Sequence, residues 1–369
     1  MSSSPALPVL VDDVVEEILL RLPPAEPAWL VRSSAVCKPW RHLLAAPYFR
    51  RRYCEFHGAP PVLGLLEKHG DFIPTSSLFL PDLPNRWVTL DCRHGRALFS
   101  TKTWQEQPWD LIVLDPATGQ QRRVPTPFDH LSCFSAAVLC AAQGCDHHDC
   151  QGGNFFVALV TTDKHDGVTS GWLYSAESHV WSELTSVQHP NVTSGHHPNV
   201  RSTAHIAQGS VLVGDALYFD AKGIIEYQVG TLRLSVFAKP IDDNGNGTLM
   251  TAEGGVLGFA AVVDVSNLTL WSRVIGSKGS MGWEKIRVID LKTTLSGVLK
   301  IPNKILPLVA WRICCFAEGT QTIFVKTCHG SCMVDLKSGK VRMLSCYEAK
   351  LFPYMRFPAM EAASTGQGQ

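Results

Sequence analysis

The sequence predicts an α+β multidomain chain in which a small module of three helices precedes an all-β propeller of about six blades. Three observations predict it. Apolar residues recur at helical spacing only in the first fifty-odd positions. Beyond them, short apolar runs alternate with Gly, Asn, Asp and Pro turns. Within that second part a two-strand template returns at intervals of roughly 45 to 60 residues, the signature of stacked β repeats.

The bulk composition is consistent with this division. A chain of 369 residues is too long for the usual single core. Its 45% hydrophobic and 18% charged residues describe a folded protein. Lys plus Arg and Asp plus Glu both total 33, so the net charge is zero and no general affinity for nucleic acid or an anionic membrane is expected. The opening MSSSPALPVLVDD lacks the basic start and apolar run of a signal peptide, and no stretch reaches the ~20 apolar residues that cross a bilayer. Twelve cysteines scattered without an export signal read as reduced thiols of the cytosol or nucleus.

The first helix is expected over 10–22, because Leu10, Val11, Val14, Val15, Ile18, Leu19 and Leu22 fall at helical spacing. Asp12 and Asp13 suit its positive N-terminal end, and Pro23 and Pro24 stop it. A second helix is expected over 27–37, carrying Trp29, Leu30, Ala35 and Val36. Proline is favoured at the first helical position, so Pro39 starts a third helix over 39–46 with Trp40, Leu43 and Leu44 on its apolar face, and Pro47 ends it. Three short helices bury little by themselves, and this module has more apolar side chains than so small a core can hide. They pack either on the following domain or on a partner.

After Gly58-Ala59-Pro60-Pro61 the pattern changes to strands. The repeated template is visible in DLIVLDPATGQQRRVP, GWLYSAESHVWSEL, DALYFDAKGIIEYQV, LTLWSRVIGSKGSMGWEKIRVI and SCMVDLKSGKVRML. Each copy supplies a hairpin of a four-stranded blade, with stretches such as GSVLVGDALYF supplying the rest. The spacing is near the ~50 residues of kelch-like blades. A β-sandwich or a pair of barrels is the alternative.

The N-terminal stretch LVDDVVEEILLRLPPAEPAWLVRSSAVCKPWRHLLAAPYF resembles an F-box. The matches are Leu10, Asp12, Asp13, Ile18, Leu19, Arg21, Leu22, Pro23, Leu30, Arg32, Val36, Cys37, Lys38, Trp40, Arg41, Leu43, Pro47 and Phe49. Val11 departs from the usual proline, and 23–28 forms an unusually proline-rich turn. Further along, DCRHGRALF, LIVLDPATGQQRRVPTP, CDHHDC with QGGNFFVALVTTD, WLYSAESHVWSE and LFPYMRF resemble a grass F-box family in which a propeller-like domain follows the F-box. The resemblance implies docking on a Skp-type adaptor, which links such proteins to a cullin in an SCF ubiquitin ligase. By position it implies Leu10, Pro23, Leu30, Val36, Cys37, Trp40, Leu43 and Phe49 as residues of the adaptor contact or its support. The implied domains are a disordered start at 1–7, the F-box at 8–57, the propeller at 58–355 and a flexible tail at 356–369.

Other candidate chemistry is sparse. In GCDHHDC, Cys145, His147, His148 and Cys150 are sound zinc ligands, but six consecutive residues rarely wrap one tetrahedral ion. Cys133, Cys140 or the 328–332 stretch could complete a site; the reading preferred is a polar loop, with no metal or other cofactor. DDNGNGTLMTAE places Asp242, Asn244, Asn246, Gly247 and Glu253 at EF-hand spacing, yet its flanks are strand-like and the Asn-Gly pairs read as a hairpin turn. No nucleophile elbow, HExxH or phosphate loop is present. The ten tryptophans are expected to hold blades together. The leading expectation is therefore a non-catalytic substrate receptor. A propeller binding a small ligand or glycan is the second reading, and a propeller oxidase the third.

Overall fold

The computed structural model describes residues 11–77, 87–101, 110–127, 134–142, 145, 147, 150, 152–163, 167–188, 209–242, 246–264, 266–276, 279–299 and 311–358. Four helices open it: α1 (Asp12–Leu20), α2 (Pro27–Ser34), α3 (Lys38–Ala45) and α4 (Pro47–His57). Asp12 and Asp13 occupy the first turn of α1, where the exposed N–H groups favour carboxylates. The fourth helix corrects the expected three. Pro47 does follow the end of α3, but it also takes a first-turn position in α4, where its fixed φ fits and its missing N–H is not needed. Gly58, at φ 71°, closes α4 in a conformation that disfavours other residues.

Six sheets follow. Blade I joins β1 (Val62–Glu67) and β2 (Phe72–Pro74) to the last strand, β24 (Leu351–Met355). Blade II holds β3 (Val88–Arg93), β4 (Arg96–Ser100), β5 (Asp110–Leu114) and β6 (Gln121–Pro125). Blade III holds β7 (Phe134–Cys140), β8 (Phe155–Thr162), β9 (Val168–Ser175) and β10 (Val180–Trp181), with β11 (Thr185–Gln188) also on β9. Blade IV is β12 (Ser210–Val213), β13 (Ala216–Asp220), β14 (Ile224–Gln228) and β15 (Arg233–Phe237). Blade V is β16 (Gly247–Ala252), β17 (Val256–Val263), β18 (Asn267–Ile275) and β19 (Met281–Asp290), followed by a short helix α5 (Leu291–Leu295). Blade VI is β20 (Arg312–Ala317), β21 (Thr322–Thr327), β22 (Gly330–Asp335) and β23 (Val341–Leu344).

The apolar core shows that the ring is closed. One buried cluster lies between each neighbouring pair of blades: Leu66 and Phe352 against Phe99 for I and II, Leu98 against Val157 for II and III, and Val160 against Phe219 for III and IV. Ile224 meets Phe259 between IV and V, Leu270 meets Val325 between V and VI, and Phe324 meets Leu65 between VI and I. Antiparallel pairing of β1 with β24, Leu65 opposite Pro353, fastens the two ends of the ring. Ring closure leaves each blade only its outermost strand as an edge, the longest described being the ten-residue β19. The six-bladed propeller thus stands, and the sandwich or barrel alternative falls.

All five template copies form hairpins: β5–β6, β9–β10, β13–β14, β18–β19 and β22–β23. Two tryptophans stitch blades as expected, Trp181 Nε1 donating to Pro125 O at 2.8 Å and Trp283 Nε1 to Ala238 O at 3.0 Å. Of the DDNGNG stretch, expected as a hairpin turn, 243–245 lie outside the described residues. The stretch connects β15 of blade IV to β16 of blade V, and Gly247 to Ala252 are themselves strand, so the EF-hand loop is excluded.

The chain past β24 corrects the expected flexible tail, which was to begin at 356. Phe357 is fully buried in the helical module's own core, with Leu19, Leu20, Phe49 and Tyr53 around it. Arg356 pairs with Asp115 through 2.8 and 3.0 Å contacts, and Pro358 O accepts from Arg50 at 3.4 Å. The propeller's last strand therefore ends in a plug that fastens the helices to the ring.

Candidate functional site

The helical module buries one side of each helix and leaves much apolar surface uncovered. Val15, Leu19 and Leu20 of α1 face Leu30, Leu44, Phe49, Tyr53 and Phe357. Tyr53 Oη donates to Leu22 O at 2.7 Å, and His57 Nε2 lies 2.8 Å from Leu20 O, which ties α4 to the end of α1. Arg52 pairs with Glu16 and, at 3.1 Å, with Glu17. On the outer side of α1, Val11, Val14 and Ile18 follow one another at helical spacing and are all exposed. Trp29, Val31, Val36, Tyr48 and Phe56 are exposed as well. Single exposed apolar residues are ordinary, but eight large ones in so short a segment are a docking signal.

The residues expected to meet an adaptor divide in three. Leu30 and Phe49, at 3% and 0% exposure, belong to the module's own core and offer no surface for direct contact. Trp40 and Leu43 pack on that core while remaining partly accessible, and Cys37 is half-buried. Pro23 and Val36 are open to solvent, Val36 by 63%. Leu10 lies outside the described residues. Sequence reasoning missed Val14, Ile18 and Trp29 as surface residues; the available signal was an apolar stripe on α1 too wide for one buried face.

At the propeller axis a cavity of about 350 Å³ is lined by residues of several blades, among them Arg93, His94, Ser210, Glu318, Lys350 and Phe352. Its centre is bridged by a polar strut. Arg93, at the end of β3, donates to both Glu318 carboxylate oxygens at 2.9 and 2.7 Å, to Ser210 O at 2.8 Å and to Ser210 Oγ at 3.1 Å. Glu318 also accepts the Leu212 N–H at 3.1 Å, and Asp91 accepts from Arg93 at 3.4 Å and from Val138 N–H at 3.0 Å. Arg93, Ser210 and Glu318 come from blades II, IV and VI, so one guanidinium joins alternate blades across the axis. Burial pushes the Asp91 carboxyl up to about 6, against the pull of Arg93. Among the described residues no tryptophan lines this cavity; its aromatic lining is Phe316, Phe352 and Phe357.

Beside this cavity the β3–β4 hairpin turns through His94 and Gly95, at φ 53° and 69°, a two-residue turn whose positive φ values match the strand twist. His94 Nδ1 accepts the Cys140 N–H at 3.1 Å, and its ring stacks on His147 at 4.4 Å and 12°. Burial first, then Arg93, holds the His94 imidazole far below its usual pKa, so the ring is neutral. Cys140, Cys145, His147 and Cys150 come together here, their ligand atoms all within 4.8 Å of one another. A plain polar loop was expected. The 328–332 stretch does not join them: the Cys332 thiol lies 3.1 Å from Met343 Sδ, and Cys328 sits 2.9 Å from His329 Nδ1. Cys133 and His148 lie outside the described residues.

The chain joins a module of four helices to a closed propeller of six blades. Comparison with known proteins sharpens the first part. Residues 7–52 match the F-box domain, so the chain carries an F-box followed by a β-propeller. An F-box/LRR-repeat/kelch-repeat protein of Arabidopsis thaliana is 27% identical over 184 residues, 49% of this chain and 48% of that protein. The chain thus spans about half the length of this curated relative. Among solved structures, a protein from Lactobacillus plantarum is 13% identical, with 76% of this chain and 75% of that chain covered and a TM-score of 0.42. The β-propeller domain of Cps50 (Swd1) from Myceliophteria thermophila is 14% identical, with 75% and 80% covered and a TM-score of 0.39. Among the described residues no helix is long and apolar enough to cross a membrane.

Proposed function

We propose that this chain is the substrate-recognition subunit of an SCF-type ubiquitin ligase, docking on a Skp-type adaptor through its helices and presenting a target protein on its propeller. The observation that carries this reading is the uncovered apolar surface on a segment that matches the F-box domain. An F-box core small enough to need Phe357 from outside has no means of covering Val11, Val14 and Ile18 as well. The receptor performs no bond chemistry. It raises the rate by holding target and ubiquitin-loaded enzyme together, so that transfer becomes effectively intramolecular. The adaptor and cullin are the partners, in the cytoplasm or nucleus, and neither nucleic acid nor membrane is involved.

The test is retention of the Skp-type adaptor by the intact chain. Buried apolar anchors at interfaces are each worth about 2 kcal/mol or more, so an Ile18→Glu, Trp29→Glu chain is expected to lose at least about a hundredfold in affinity. Both residues are 45–50% exposed, so the variant keeps its fold and its helical circular dichroism. A folded variant that retains adaptor and cullin as the wild type does would refute the reading.

A further inference from the structure

We propose that Cys140, Cys145, His147 and Cys150 hold one structural zinc ion, which pins the loop between β7 and β8 beside the mouth of the axial cavity. The donor set is three thiols and one imidazole, the composition of a closed structural site with no position left for water or substrate. Soft sulfur ligands in a tetrahedral arrangement select zinc over calcium or magnesium.

The distances fit the ion. Zinc binds sulfur at about 2.3 Å and nitrogen at about 2.0 Å, which places neighbouring ligand atoms of a tetrahedron roughly 3.5 to 3.8 Å apart. Cys145 Sγ lies 3.5 Å from Cys150 Sγ, and Cys150 Sγ lies 3.6 Å from His147 Nδ1. A disulfide would require about 2.05 Å between sulfurs. Cys140 resolves the difficulty that six consecutive residues cannot wrap an ion, because it arrives from the end of β7 and supplies a ligand on a rigid strand.

Surrounding groups orient the ligands. The His94 ring stacks on His147 and accepts the backbone N–H of Cys140, so one side chain of the neighbouring blade supports two ligand residues. Such supporting contacts fix ligand geometry in metal sites. Arg96, on β4, donates to Gly152 O and, at 3.2 Å, to Gly153 O, which anchors the far end of the loop. His147 and Cys150 also line the cavity, so zinc would shape the rim of the propeller's axial opening.

The experiment is elemental analysis of the full chain, purified without added metal or chelator. One zinc per chain is expected in the wild type, less than a tenth of that in the Cys145→Ser, Cys150→Ser chain, and the full amount in Cys328→Ser. Should the double variant fail to fold, the wild type decides alone: cobalt exchange should give the intense visible bands of a tetrahedral thiolate site. Zinc-free folded wild type that takes up no cobalt would overturn the proposal. So would a disulfide among the three cysteines, or zinc retained by the folded double variant. None of these results depends on whether an adaptor binds.

Discussion

Replacing Phe357 with alanine is expected to release the helical module from the propeller and unfold most of it. Large-to-small substitution of a buried phenylalanine costs about 3–5 kcal/mol, through lost transfer energy and the cavity left behind. Phe357 is fully buried among Leu19, Leu20, Phe49 and Tyr53, and its ring meets that of Tyr53 edge-on at 6.1 Å. A segment of this size has a stability of its own of roughly 2–7 kcal/mol, taking about 0.05–0.15 kcal/mol per residue. The loss is therefore comparable with everything the module has. Urea titration followed by circular dichroism reads it, since α1 to α4 supply nearly all the helix described. The helical transition should move to much lower urea in Phe357→Ala and recover largely in Phe357→Leu, with the propeller transition unchanged. Coincident helical transitions for Phe357→Ala and wild type would show that the plug is incidental.

The second large effect is expected at the axial strut. Removing the partly exposed Glu318 carboxylate takes a partner from buried Arg93; breaking a fully buried pair costs about 3–5 kcal/mol. Asp91 and Ser210 still hold the guanidinium in a Glu318→Ala chain, so the lower end, about 3 kcal/mol, is expected for the propeller transition. An Asp91→Asn, Arg93→Met, Glu318→Leu chain leaves no charge of the strut unpaired and should recover part of the loss. Losses that add fully across the three substitutions would contradict the strut.

The same network makes a pH prediction. Asp91 titrates at about 6 in the folded protein, above its usual 3.8, because burial outweighs Arg93 and the nearby Glu318 adds to the rise. The folded state thus binds more protons than the unfolded one in that interval. The stability this carboxyl contributes is full below its unfolded value and is lost as pH rises through about 6. Removing Glu318 takes away one cause of the rise, so in Glu318→Ala the loss should shift to lower pH. Asp91→Asn should abolish it.

The propeller was legible because each blade hairpin is local: two short apolar runs and a polar turn, in most copies with Gly, lie within about twenty residues of each other. Blade I was not legible as a blade, since β1 and β24 are separated by nearly the whole chain and only ring closure makes them neighbours. Pro47 misled because proline both ends one helix and begins the next, and the spacing alone does not show a further helix. On α1 the stripe marked apolar residues without telling buried Val15 and Leu19 from exposed Val14 and Ile18; that division depends on where α4 and Phe357 pack. The strut joins Arg93 to Ser210 and Glu318, 117 and 225 residues away, with no local signal. The cysteine cluster was half legible: Cys145, His147 and Cys150 are adjacent in sequence, but choosing Cys140 required the strand end that points it at them.

Completion of the apolar face of α1 and α2 by another subunit is the expectation on which the proposed function rests. Hydrogen exchange of the intact chain, with and without saturating Skp-type adaptor, tests it most directly. Strong added protection is expected across α1 to α3, with the strands of blades II to VI unchanged. Unaltered exchange in the helices of a folded chain under saturating adaptor, or protection confined to the propeller, would contradict it.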